Sequence, residues 1–90
     1  MSYEIVYTKD AEKDYEYIKR SQPGMLENLK DIIKTLKENP YEKKHRFEKL
    51  QGHKNRFSRR LNQKHRVVFE IYKIERVVKV VSMWGHYDDN

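Results

Sequence analysis

The apolar residues of this chain change their spacing halfway along, and that change limits the fold more than any other feature. Up to residue 40 they recur three and four apart; from residue 56 onward they alternate with polar residues. A helical period followed by a strand period, with no return to the first, describes helices grouped ahead of a strand meander. In such α+β chains the helices cover one face of the sheet.

The elements follow from local chemistry. Tyr3 to Tyr7 alternates around Ile5 and is rich in β-formers, so it reads as a short first strand. Thr8 is placed to cap a helix whose first turn holds Asp10 and Glu12, acids that suit the positive end of the helix dipole. Ala11, Tyr15 and Ile18 are spaced as its buried stripe, ending near Arg20. Ser21 and Gln22 interrupt the pattern, and Pro23 suits the first position of a second helix. Leu26, Leu29, Ile32, Ile33 and Leu36 line that helix until Asn39-Pro40 stops it.

From Tyr41 to Asn55 there is no period, and the stretch reads as a loop or short strand anchored by Phe47 and Leu50. Three strands follow, over residues 56–61, 66–72 and 76–84. The last is so rich in valine that it is expected to be central and covered on both faces. The order β-α-α-β-β-β predicts two helices packed on one face of a small, mostly antiparallel twisted sheet, with the opposite face free for a ligand. Ninety residues suit a single domain spanning 1–90.

Apolar residues make up 37% of the chain and charged residues 38%, so the core is modest and a partner covering apolar surface would add stability. With no cysteine there is no disulfide and no thiolate metal site, which fits a reducing compartment. No leader-like run opens the sequence and no segment is long enough to span a bilayer, so the cytoplasm is the expected location and no membrane contact is expected.

The net charge of +6 is concentrated. Residues 43–66 carry ten Lys or Arg against Glu48 alone, whereas residues 1–42 carry seven against nine and residues 67–90 three against four. Such a block attracts polyanions, with nucleic acid first and an acidic protein second. Lys43, Lys44, Arg46, Lys49, Lys54, Arg56, Arg59 and Lys64 are the candidate phosphate contacts. The plainer reading is a solvated basic face, but Phe47, Leu50, Phe57 and Leu61 interleave with the charges and argue for a folded surface.

Within this block the hairpin from Arg56 to Tyr72 sets up a chemical site. Val67, Phe69 and Ile71 form one face of its second strand, so Arg66, Val68, Glu70 and Tyr72 point the other way. With a three-residue loop of Asn62, Gln63 and Lys64, Arg60 falls opposite Arg66 on the outward face. Facing arginines repel, which stability alone would not select. Cleaving RNA through its own 2′-hydroxyl needs a base, cations for the charge on phosphorus and an acid for the leaving oxygen. Glu48 is the candidate base, Arg60 and Arg66 the phosphate-binding pair, His86 an acid or base, and Tyr87 a stacking or phosphate contact. Each has a duller use: Glu48 as a surface acid among cations, the arginines as passive contacts, His86 as part of a frayed terminus. His45, His53 and His65 show no ligand spacing, so no metal and no other cofactor is expected.

Four segments in order resemble the YoeB (Txe) branch of the RelE toxin superfamily: Phe47-Glu48-Lys49-Leu50, Phe57-Ser58-Arg59-Arg60, Lys64-His65-Arg66-Val67-Val68-Phe69 and Ser82-Met83-Trp84-Gly85-His86-Tyr87. Asp14-Tyr15 in the first helix and Asn39-Pro40-Tyr41 at the end of the second extend the likeness over almost the whole chain. The resemblance implies a toxin of a bacterial type II toxin–antitoxin module, a ribosome-dependent endoribonuclease that cuts mRNA in the A site beside ribosomal RNA. It implies Glu48 as general base, Arg60 and Arg66 on the phosphate, His86 as general acid and Tyr87 as an orienting contact. The partner it implies is a cognate acidic antitoxin. Relatives can act as homodimers, although the sequence carries no dimer signature of its own. Three departures stand out: Asp88, Asp89 and Asn90 follow the His-Tyr pair, Phe57 replaces a frequent Trp, and Lys49 replaces a frequent Pro. Two other functions share the fold or the charge: a non-catalytic relative resembling the ParE toxins, which act on DNA gyrase, and a plain RNA- or ribosome-binding module.

Overall fold

The computed structural model describes residues 2–84. Strand β1 (Glu4–Tyr7) leads into helix α1 (Lys9–Ser21), a single 3₁₀ turn (Pro23–Met25) and helix α2 (Leu26–Glu38). Strands β2 (Glu48–Lys49), β3 (Arg56–Arg60), β4 (Arg66–Tyr72) and β5 (Val77–Ser82) complete a five-stranded sheet in the order β1-β5-β4-β3-β2. Only the β1–β5 pairing is parallel. Both helices lie on one face, as the change of period implied.

Thr8 caps α1 as expected: its hydroxyl accepts from Ala11 N at 3.1 Å and donates to Val81 O at 2.7 Å, so one side chain starts the helix and ties it to β5. The buried stripe of α1 is Ala11, Asp14 and Ile18, not Ala11, Tyr15 and Ile18. Tyr15 stays 39% exposed. Asp14 turns inward because Oδ2 accepts from Met83 N at 2.9 Å and Trp84 N at 3.2 Å, satisfying the backbone where the chain leaves β5. In α2, Leu29, Ile32 and Leu36 are buried while Leu26 and Ile33 are partly so. Thr35, also buried, returns its hydroxyl to Asp31 O at 3.0 Å. Extended backbone at Asn39, ahead of buried Pro40, ends the helix.

The core lies between these helices and the inward residues of the sheet: Phe57, Val67, Phe69, Ile71, Val78 and Val80. Phe47, from the loop before β2, packs nearly parallel to Phe57 at 5.2 Å between ring centres.

Two strand expectations change. The valine-rich β5 is interior, but β4 is the middle strand, because β1 adds in parallel beyond β5. Nor is β5 covered on both faces, since Val77, Lys79 and Val81 remain partly exposed on the side away from the helices. The aperiodic stretch supplies a two-residue edge strand, β2, and it carries Glu48.

Candidate active site

Cross-strand register decides which side chains share the helix-free face. Glu48 pairs with Ser58, and Ser58 with Val68; one step along, Arg60 pairs with Arg66; in the other direction Arg56 pairs with Glu70. Directly paired residues point to the same side, so Glu48, Ser58, Arg60, Arg66 and Val68 stand together. The expected three-residue loop sets this register: Leu61 N donates to His65 O, and Asn62 Oδ1 accepts from Lys64 N at 2.9 Å and His65 N at 2.8 Å.

Arg66 reaches across β3 to Glu48, with Nη1 donating to Oε1 at 2.9 Å. Both side chains remain about half exposed, at 41% and 54%, so the pair is open to a ligand. Beside it lies a groove of about 520 Å³ lined by Leu50, His53, Ser58, Lys64, Arg66 and Val68 among others. Its lining mixes the cations Arg56, Lys64 and Arg66 with apolar Leu50, Val68 and Val81, which suits a phosphodiester carrying a base. Arg60 is half-buried at the same end of the sheet, where its backbone N–H donates to His45 O at 2.6 Å. This bond joins the loop before β2 to the end of β3 that carries Arg60. His45 and Arg46 reach that geometry with positive φ, at 56° and 55°.

The predicted phosphate contacts divide. Lys43, Lys44, Arg46, Lys54 and Lys64 are exposed around the basic block; Lys49 is exposed at the sheet edge, paired with Phe57 and so facing away from Glu48. Arg56 is held by Glu70 through Nε and Nη2, and Glu70 is further engaged by the Tyr72 hydroxyl at 2.6 Å and by Lys79 at 3.7 Å. Burial alone would raise the Glu70 carboxyl, but the hydrogen bonds from Tyr72 and Arg56 outweigh it and hold the group below its ordinary value.

Arg59 corrects the expectation. It is paired with Val67 and fully buried on the helix side, so it is no surface contact for RNA. Its Nη1 donates to Lys44 O at 2.8 Å and its Nη2 to Pro40 O at 2.7 Å, while the guanidinium lies 4.7 Å from the centre of the Phe47 ring. Burial pushes the group down to about 10, which leaves it charged at neutral pH. Arg59 is a clamp on the loop that delivers Glu48.

His86 and Tyr87 lie outside the described residues. The residue that leads toward them, Trp84, is stacked on His65 at 3.7 Å between ring centres and tilted against Tyr17 at 5.7 Å. Sequence reasoning missed Asp14, which fixes the same point of the chain, and Ser58, whose hydroxyl lies buried between Glu48 and Val68. Among the described residues no three His, Asp or Glu side chains converge as a metal site would require, and no helix is long and apolar enough to cross a membrane.

The fold of two helices on one face of a small sheet is shared with toxins of toxin–antitoxin systems, and here an acid and two arginines gather on the bare face. Residues 7–87 match the model of the YoeB-like toxin of bacterial type II toxin–antitoxin systems, and the chain belongs to that family. A YoeB/ParE toxin from Agrobacterium tumefaciens is 28% identical with a TM-score of 0.85, over 93% of this chain and 99% of that one. The YoeB dimer of Staphylococcus aureus is 26% identical with a TM-score of 0.83, covering 97% of this chain and 100% of that one. The same toxin in a heterotetrameric YoeB–YefM toxin–antitoxin complex gives 0.81, again at 26% identity and with the same coverage. The fold alone extends to an archaeal RelE–RelB complex from Pyrococcus horikoshii, at 16% identity and a TM-score of 0.74 over 93% and 94% of the two chains. The comparison with curated proteins found no match.

Proposed function

We propose that this toxin is an endoribonuclease that cuts mRNA in the A site of the ribosome, without a metal. The observation that carries the reading is the contact of Glu48 with Arg66 on the helix-free face, at the edge of a cationic groove and one ladder step from Arg60. A carboxylate and two guanidinium groups supply the base and the cations that transesterification through the 2′-hydroxyl requires, leaving the acid to His86.

In this reading an entering phosphodiester draws Arg66 onto its non-bridging oxygens, and Glu48 is released to take the 2′-hydroxyl proton. The 2′-oxygen bonds to phosphorus as the bond from phosphorus to the 5′-oxygen breaks. His86 protonates the departing 5′-oxygen, while Arg60 and Arg66 offset the charge gathered on the phosphoryl group. The products are a 2′,3′-cyclic phosphate and a 5′-hydroxyl, and Tyr87 orients the substrate. Lys43, Lys44, Arg46, Lys49, Lys54 and Lys64 contact mRNA and ribosomal RNA backbones, whose affinity then falls steeply with salt. The chain acts in the cytoplasm, and a cognate antitoxin with an acidic segment neutralises it. Self-association and an antitoxin complex are both supported by the S. aureus dimer and YoeB–YefM structures.

Expression of Glu48→Gln, Arg66→Ala and His86→Gln tests the reading. Each is expected to fold and to lose growth arrest, with ribosome-dependent cleavage lowered by roughly 10²- to 10⁴-fold for loss of a general base or acid. A fully toxic Glu48→Gln protein overturns the base assignment. Growth arrest by all three with no RNA cut favours a binding module or a non-catalytic ParE-like action.

A further inference from the structure

One polar group on the helix-free face has no use in the scheme above. Ser58 is fully buried, and its Oγ has no hydrogen-bond partner among the described residues. The other buried unpaired atoms, His45 Nδ1 and Arg59 Nε, belong to side chains anchored elsewhere, His45 through Asp31 and Arg59 through two carbonyls. Ser58 has only its hydroxyl. A buried hydroxyl without a partner is a cost that alanine at the same place would avoid, so its presence asks for a reason outside stability.

Its position supplies one. Ser58 stands on β3 directly between Glu48 on β2 and Val68 on β4, and it lines the groove with Arg66. Cross-strand neighbours hold their Cβ atoms about 4.5–5.5 Å apart, so the hydroxyl lies within one side chain of the Glu48 carboxylate. The Glu48–Arg66 pair spans from β2 to β4 across β3, at the level of Ser58 and Arg60. A half-exposed ion pair of this kind is weakly held and parts without disturbing the core.

We infer, resting on the nuclease reading above, that Ser58 Oγ is a substrate-binding group: once Arg66 leaves Glu48 for an RNA phosphodiester, the Ser58 hydroxyl donates to a non-bridging phosphate oxygen. No bond to Ser58 forms or breaks. The hydroxyl holds the phosphate beside Glu48, and its hydrogen bond strengthens as charge gathers on that oxygen, so removing it lowers kcat more than it raises KM.

Ser58→Ala in the full-length chain, on programmed ribosomes, is the test. The expected result is a melting temperature equal to or above wild type together with cleavage reduced at least tenfold, mostly in kcat. Cleavage within twofold of wild type overturns the assignment. Should the alanine variant fail to fold, Ser58→Cys keeps the volume with a weaker donor; an intermediate rate supports the assignment and a wild-type rate overturns it. Binding of a 2′-deoxy oligonucleotide, which offers the phosphodiester without a cleavable 2′-oxygen, separates this inference from the reading beneath it. If wild type and Glu48→Gln are equally inert on ribosomes, the nuclease reading fails. In that case a fivefold or greater loss of oligonucleotide affinity in Ser58→Ala still supports Ser58 as a phosphate donor, and unchanged affinity removes it.

Discussion

Replacing Arg59 by methionine separates a structural clamp from a phosphate contact. Methionine keeps much of the volume but removes both hydrogen bonds, leaving Pro40 O without the Arg59 donor and Lys44 O with Phe47 N alone, and removes the cation from the Phe47 ring. A buried acceptor left unsatisfied costs about 1–3 kcal/mol, and a desolvated cation–π contact contributes about 2 kcal/mol. Against these stands the several kcal/mol regained by no longer burying a charge. The net expected loss is about 1–3 kcal/mol, which for a domain of this size lowers Tm by roughly 5–20 °C. Thermal and urea melts of Arg59→Met and Arg60→Met measure it, alongside the salt dependence of RNA affinity for both. Arg59→Met is expected to melt early with its salt slope preserved. Arg60→Met is expected to melt near wild type with a slope reduced by about 0.7, the signature of one lost contact to a single-stranded phosphate backbone. An Arg59→Met protein as stable as wild type but with the reduced slope would refute the clamp.

Thr8→Ala removes the α1 cap and the link to Val81, and is expected to cost about 1–2 kcal/mol in urea unfolding. Asp14→Ala strips the acceptor from Met83 N and Trp84 N, at about 2–4 kcal/mol; the chain's single tryptophan reports the loosening as a change in fluorescence. Glu70 has its folded pKa held below the ordinary 4.5, so its contribution is complete above that value and lost as pH falls through the folded pKa. Melts of wild type and Glu70→Gln are therefore expected to differ by a constant amount from pH 7 down to about 4.5 and to converge in stronger acid.

The site was legible where local rules suffice. The Asn62-Gln63-Lys64 loop sets the hairpin register, and the register puts Arg60 opposite Arg66; Glu48 stands out as the single acid among ten bases. Arg59 was misjudged because counting charges treats every cation alike. The period of two that sends Arg60 outward sends its neighbour inward, so applying the same rule to β3 would have found the clamp. Asp14 was hidden for a different reason. Positions 14 and 15 are both compatible with a stripe through Ala11 and Ile18, and what decides between them is backbone N–H groups 69 and 70 residues further along. The place of β5 depended in the same way on β1, whose parallel addition is a non-local event that a valine run does not record.

Mapping RNA 5′ ends after a short expression pulse tests the central claim most directly, with translating and ribosome-free copies of one transcript compared in the same cells. Cuts confined to the translated reading frame, carrying 5′-hydroxyl ends and absent with Glu48→Gln, are the expected result. Growth arrest with no new 5′ ends, or equal cutting of the untranslated copy, would contradict it.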